Sequence, residues 1–531
     1  MRTRGCATLL ALALAGAWAC GTGDPSGDDA TAAPDTADAA DGVDETGSTD
    51  AAETPDASPP GPPRLHAEGT RIVDANGQEV VLHGANLGGW LFHETWITLV
   101  GQATHGALYE AAVEAGVAEP VLEAMRAAGP GYGTDRAVVQ VCPGNGDEWI
   151  ARLKPELESR VDAATAKALL DGLAAQPALC DDADLGLRKV LADRFGTDGR
   201  DELLNAFQGA WLAESDIAWL ASQGFNVVRV PIGYRSLVRG ADADAPQALD
   251  FNPLAEKRLL DLLDWCRAHG VYAVVDIQEA PGGQNSYSGT SGLYANPHMQ
   301  DLTVLLWEHL SGLLKDRDEV AAYSLLAEPY GAPDAAARDA MYDRLVKAIR
   351  AKADDHLCVI HDGFMGMDSL PVPSTLGWTD VVYSTHLFEW TTTSYDGYRF
   401  LFEGVYGPTF TEAQARQGVP YYIGSFSTFL DEDWAYDAAG LAAWWMGQNG
   451  WSWSLWTYKR PDDPVSAMVF GFSTSWGLRG RLAGDFARPD PYHDDFATLK
   501  ARFEAYAGMV VDPNPALLAK LKDPRPRDDA E

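Results

Sequence analysis

Eight times along this chain a short apolar run ends in polar residues and gives way to a helical stretch, and that alternation restricts the fold more than any other feature. In order the runs are VVLHGANLG from Val80, NVVRVPIGY from Asn226, YAVVDIQEA from Tyr272, VAAYSLLAEP from Val320, LCVIHDGF from Leu357, VVYSTHLF from Val381, PYYIGSFS from Pro420 and WSWSLWTYK from Trp451. Repeated β-then-α units of this number predict an α/β protein, a (β/α)8 TIM barrel. The connecting stretches fit: PLAEKRLLDLLDWCRAHG has apolar residues at three- and four-residue spacing and stops at Gly270. The first crossover, Trp96 to Gly224, is far longer than one helix needs. It reads as a helical insertion over about 97–224, carrying stretches such as EWIARLKPELESRVDAATAKALLDGLAA, and is expected to cap the barrel mouth.

The ends read differently. MRTRGCATLLALALAGAWACGTGD sets Arg2 and Arg4 before a short apolar run closing in small residues, the pattern of an export signal over 1–20. AWAC permits a cut after Ala19 or lipoprotein processing that leaves Cys20 acylated, giving either a secreted protein or a cell-surface or outer-membrane lipoprotein. Residues 21–63 are acidic, contain no Lys or Arg and hold almost nothing that could form a core, so they read as a disordered linker. The folded unit is expected over 64–510, with 511–531 as a tail.

Net charge is −37, and no cluster of Lys and Arg offers phosphates a surface, which argues against nucleic acid as a partner. No run beyond the signal is long enough for a membrane helix, so contact with a membrane is expected only through the lipid. Of the six cysteines, Cys6 leaves with the signal, Cys142 and Cys180 flank a helical part of the insertion and can pair, and Cys266 and Cys358 read as small buried hydrophobes. No C-x-x-C or H-E-x-x-H spacing points to a metal, and no cofactor is implied.

In barrels of this kind chemistry sits where strands end. Those ends supply Asn86 and Glu94, then Arg229, then Asp276, Gln278 and Glu279, then Glu328, and later His361, Asp362, His386, Ser425 and Trp456. Any one of them alone is an ordinary core or loop residue. Carboxylates, an arginine, a histidine and aromatic rings converging on one mouth suit a neutral ligand rich in hydroxyls, a polysaccharide or oligosaccharide.

These residues resemble glycoside hydrolase family 5, in particular its exo-β-1,3-glucanase-like and related β-glucosidase branches, from Arg71 to about Leu478. LHGANLGGWLFHETWIT is similar to the family's opening N-L-G-G-W-L…E-x-W motif, and GFNVVRVPIGY, APGGQN and WTYK…WGL match in order. The resemblance implies a barrel acting on β-glucan by retaining hydrolysis, with one glutamate as acid/base in N-E-P and another as nucleophile in G-E-F or G-E-W, about 5–5.5 Å apart. Glu328 stands in the first slot, but Ala327 replaces the asparagine before it, and Ser425 replaces the nucleophile. Gln278 stands for a family histidine and Glu279 for a glycine, and Phe388 for the aromatic after His386. Glu94, Arg229, Gln278, Glu279, His386 and Trp456 are the sugar-binding candidates the resemblance supplies.

A serine hydroxyl attacks only beside a general base, and none adjoins Ser425 in sequence. Without a neighbouring carboxylate, Glu328 is expected to fall toward an ordinary glutamate pKa. The chain therefore reads as a β-glucan-binding pseudo-glycosidase. Two alternatives stand: an inverting hydrolase using Glu279 or Glu94 as base with Glu328 as acid, or a surface structural protein that binds nothing. In the bland reading Glu279 forms an ion pair with Arg229 or Arg235.

Overall fold

The computed structural model describes residues 61–527 apart from 101–103, 129–145, 175–182, 241–245, 286–291, 390, 391, 393, 429–432, 462–476 and 484–485. Cys20, Cys142 and Cys180 lie outside the described residues. Eight parallel strands close into a barrel. They are β1 (His83–Asn86), β2 (Val227–Gly233), β3 (Tyr272–Glu279), β4 (Val320–Ser324), β5 (Leu357–His361), β6 (Val381–Phe388), β7 (Tyr421–Ser427) and β8 (Ser452–Leu455). Neighbours in sequence are neighbours in space, and β8 pairs with β1 to shut the cylinder. All eight runs predicted from the sequence are these strands.

Both strand faces are apolar over much of their length because helices cover the outside and side chains fill the inside. Val228, Val230 and Ile232 on β2 and Ala273, Val275 and Ile277 on β3 join the large outer core with the helices, Leu259, Leu262, Leu306 and Leu345 among them. The alternate residues Val227, Val274, Val359, Val382 and Tyr422 meet inside the barrel, joined by Leu65, Ile72 and Leu82. Leu65 and Ile72 belong to an antiparallel hairpin, Leu65–Glu68 with Arg71–Asp74, which plugs the N-terminal end of the barrel. Gly84 permits the tight seam of β1 and β2: a Cβ there would lie 1.7 Å from the Val227 carbonyl oxygen.

The long first crossover is helical. Thr104–Glu114, Ala118–Ala128, Gly146–Arg160 and Ala163–Ala174 share a small core of their own around Leu122, Met125, Leu153, Leu157 and Leu169. Ala183–Trp211 kinks at Gly196 (φ 75°), and its second half lays Phe207 and Trp211 on the barrel core. Trp90 Nε1 donates to the Gln208 carbonyl at 2.8 Å and Trp211 Nε1 to the Gly88 carbonyl at 3.1 Å, so the NLGGW segment and the insertion's last helix fix each other. No described helix is long and apolar enough to cross a membrane. Cys266 and Cys358 are buried free thiols.

Beyond the barrel, strand Arg479–Ala483 pairs with Val510–Pro513, and the helix Pro515–Lys522 follows. Much of the segment expected to be a tail is thus ordered, because Leu517, Leu518 and Leu521 at helical spacing are buried against the main core. Truncating Leu517, fully buried, should cost about 2–5 kcal/mol. Urea unfolding of Leu517→Ala tests this, and a midpoint equal to that of the parent would show that the helix does not pack as described.

Candidate active site

The floor of the site is a buried guanidinium. Arg229, on β2, donates from Nη1 to Asn86 Oδ1 at 2.7 Å and from Nη2 to Gln278 Oε1 at 3.4 Å, and Nη2 lies 2.8 Å from Asp276 Oδ2. Asn86 Nδ2 passes the linkage on to the carbonyls of Gly424, Ser454 and Leu455 at 3.1–3.3 Å. One charge from β2 therefore ties together β1, β3, β7 and β8. Glu279, next to Gln278 in sequence, is not at the mouth. It is fully buried in an ion pair with Arg235, one of the two partners the bland reading named.

Glu328 follows β4 in the left-handed region (φ 46°), a conformation an ordinary side chain adopts only when its surroundings enforce it. The APGGQN segment does the enforcing. Gln284 Nε2 donates to the carbonyls of Gln278 and Ala327 at 2.8 and 2.9 Å, and Asn285 Nδ2 donates to the Glu328 carbonyl at 3.2 Å. Glu328 Oε1 shares a 2.6 Å hydrogen bond with His386 Nδ1. Burial raises the Glu328 pKa, against the pull of His361 and Arg229. This corrects the expectation of an ordinary value: desolvation alone favours the acid form, with no second carboxylate needed. Burial, reinforced by Arg229, holds His386 neutral, and burial with His386 beside it does the same to His361.

Ser425 reaches this layer through a bulge. Ser384 of β6 pairs with Tyr422 and Thr385 with Ile423, but His386 pairs with Ser425, so Gly424 is the extra residue. The shift turns Phe426 outward into the core and Ser425 inward beside His386. Only glycine fits at the bulge, because a Cβ would sit 2.9 Å from His386 Nε2 and 3.1 Å from Ser384 Oγ. Ser425 is 1% exposed, and its hydroxyl has no hydrogen-bond partner among the described residues.

Trp456 follows β8, buried, with its ring edge 3.4 Å from where a Cβ on Gly88 would lie. Glu94 stands at the N-cap position of the short helix Thr95–Thr98, without a side-chain capping bond, and is half-buried. The structure thus gathers Arg229, Gln278, Glu328, His386 and Ser425, while Glu279 is taken up by Arg235. It also adds groups outside the sugar-binding candidates. His361 packs edge-to-face on His386 with ring centroids 4.5 Å apart. Phe364 (φ 58°) is 42% exposed, with its ring 5.4 Å from that of His361 and 6.4 Å from that of Tyr330. The signal was IHDGF: a strand ending in polar residues with a bulky aromatic straight after.

Among the described residues no group of His, Cys, Asp and Glu could hold a metal ion. The family model for cellulase (glycosyl hydrolase family 5) matches residues 196–461, half of the chain. The chain is 28% identical over 305 residues to a β-xylosidase of Phanerodontia chrysosporium, covering 56% of this chain and 46% of that protein. Over 234 residues it is 28% identical to glucan 1,3-beta-glucosidase 2 of Saccharomyces cerevisiae, covering 40% and 41%. It spans about half the length of the curated relatives it matches. Among solved structures an endogalactoceramidase aligns with 17% identity over 83% of this chain and 84% of that one, with a TM-score of 0.46.

Burial lifts the Asp362 carboxyl to about 6. A raised carboxyl stabilises the fold while protonated, so its contribution is full below 3.8 and lost as pH rises through about 6. The loss is on the order of 3 kcal/mol at most. Urea unfolding across that window should give a flatter profile for Asp362→Asn than for the parent; parallel profiles would refute the assignment.

Proposed function

The chain belongs to the cellulase family, glycosyl hydrolase family 5, and from that premise we propose that its barrel mouth binds a neutral β-glucan or β-glycoside without the carboxylate pair of an ordinary retaining glycosidase. One observation carries the reading. Ser425 shares the inward layer with His386, which is hydrogen-bonded to Glu328, and the two carboxylates at the end of β3, Asp276 and Glu279, are engaged by Arg229 and Arg235. Glu328 then keeps one half of the chemistry. With its pKa raised by burial it can hand a proton to a leaving oxygen, but Ser425 brings no carboxylate to the position of the second group. His386 and Gln278 supply polar contacts for hydroxyls, and Trp456, Phe364 and Tyr330 supply rings on which a pyranose can stack.

A second reading, hydrolysis by rearranged carboxylates with Glu94 as the base, draws on the same raised acid. It also draws on the names of the relatives, a β-xylosidase and a glucan 1,3-beta-glucosidase. Titration calorimetry with laminari- and cello-oligosaccharides beside a hydrolysis assay separates the two. Binding without turnover is the expected result. Rapid turnover would establish the second reading, and absence of binding would leave a surface structural protein. Phe364→Ala should weaken binding by about tenfold through the lost stacking surface.

Ser425→Glu combined with Ala327→Asn should restore a nucleophile and its neighbouring contact to the 2-hydroxyl, giving a covalent adduct with a 2-fluoro-glycoside detectable by intact mass. A folded, sugar-binding double variant with neither adduct nor hydrolysis would show that Ser425 is not what limits the site. The proposal includes export, with the barrel tethered through an acylated Cys20 and the acidic segment 21–63. Cys20→Ala should then release the protein from membranes or block its processing, and unchanged membrane association would point to another tether.

A further inference from the structure

Phe364 combines two features that packing alone does not explain. It is a bulky residue in the left-handed region (φ 58°), and it is 42% exposed, so the core gains little from the conformation in which it is held. Such a conformation costs free energy and persists only where surrounding groups enforce it. Gly363 before it (φ 65°) and Gly366 after it (φ 94°) are left-handed too, so the chain leaves β5 in a tight turn with the aromatic ring near its tip.

The enforcing group is Asp362. Its Oδ1 accepts the Phe364 amide at 3.1 Å, and the Gly366 amide and Thr385 hydroxyl also hydrogen-bond to the carboxylate, favouring its charged form. The side chain is nearly sealed from solvent, so these donors stand in for water. The rest of the turn is fixed from beneath. Arg338, on the helix Ala335–Ala351, donates from Nη1 to the Asp362 carbonyl at 2.6 Å and to Ser369 Oγ at 2.8 Å. Gln417 Nε2 donates to the carbonyls of Met367 and Leu370 at 2.8 and 3.0 Å. Both ends are pinned while Phe364 between them stays exposed. The turn also packs on the segment that follows the acid: a Cβ on Gly363 would come within 3.1 Å of the Pro329 carbonyl oxygen, and the Tyr330 amide donates to the Glu328 carbonyl at 2.7 Å.

We propose that Asp362 is a positioning residue of the sugar site: by holding the Phe364 amide it fixes the angle at which that ring is offered to a bound pyranose. The role rests on the sugar-binding reading above and adds to it a side chain that acts only through Phe364. Its benefit is preorganisation. A ring free to leave the left-handed region would have to be ordered each time a sugar bound, and that ordering would be subtracted from the affinity; a ring held there beforehand loses nothing.

The test is a double-variant cycle on the full chain, with a laminari-oligosaccharide titrated calorimetrically at neutral pH. Asp362→Ala should weaken binding about tenfold, as Phe364→Ala does, because both withdraw the same stacking surface. In the Phe364→Ala background Asp362→Ala should cost less than about twofold, since nothing is left to position. Asp362→Asn keeps an oxygen that can accept the Phe364 amide and should restore most of the affinity. Thr385→Val removes only the hydroxyl bonded to the carboxylate and carries the same cycle if Asp362→Ala does not fold. Fluorine NMR of the chain labelled with 4-fluorophenylalanine reads the ring without sugar: the resonance that Phe364→Ala removes should move in Asp362→Ala and hold its place in Asp362→Asn. With binding by the parent intact, parent-like affinity in Asp362→Ala or in Phe364→Ala, losses that add in full across the two backgrounds, or an unmoved resonance each overturn the role and leave the binding reading standing. If the parent binds no sugar, the role falls with the reading on which it rests.

Discussion

The hydrogen bond between Arg229 and Asn86 is the constraint on which both the barrel and its mouth depend. A guanidinium 1% exposed must find partners within the protein, and the two terminal nitrogens of Arg229 do so with Asn86, Gln278 and Asp276. Asn86, its oxygen engaged, turns its amide hydrogens onto the carbonyls of Gly424, Ser454 and Leu455. Those carbonyls belong to β7, β8 and the end of β8, so the polar network under the site also laces the seam at which the cylinder closes. Stability and site geometry are coupled here because the same buried charge serves both.

The electrostatics above that floor follow from burial more than from charge pairing. Arg229 lies close enough to favour the carboxylate of Glu328, yet desolvation outweighs it and the pKa rises. The same arginine and the same burial push His386 and His361 down. Burial thus shifts the acid and both imidazoles toward their neutral forms around a 2.6 Å hydrogen bond. A donor-rich group of side chains over one ion-paired arginine suits a sugar, whose hydroxyls need partners but whose ring carries no charge.

Sequence position also proved to be a poor guide to which carboxylate belongs to the mouth. Asp276, Gln278 and Glu279 follow one another on β3, yet Asp276 serves the floor, Gln278 faces the mouth side of Arg229, and Glu279 is sealed with Arg235. The strand's pleat separates neighbours by face, and Arg235, from the four-residue helix Tyr234–Leu237, arrives only because that helix follows β2 directly. The APGGQN stretch likewise matters less for contact with ligand than for the backbone it holds: Gln284 and Asn285 fix the left-handed turn that aims Glu328.

The sequence by itself determined the barrel, because eight short, mostly apolar runs ending in polar residues alternate with helical stretches, and it determined which strand ends carry Glu328, His386 and Ser425. It missed the ordered helix Pro515–Lys522, whose spacing was readable but whose partners lie hundreds of residues away in the main core. It could not give the direction of Ser425. With Tyr422 inside the barrel, strict alternation sends Ser425 outward; only the register shift at Gly424 returns it to the side of His386. Nor could it give the protonation of Glu328 or the choice between Arg229 and Arg235 for Glu279, since desolvation and ion pairing depend on what surrounds a group in three dimensions. Local pattern fixes elements, whereas orientation and charge state are properties of neighbours that only the closed barrel brings together.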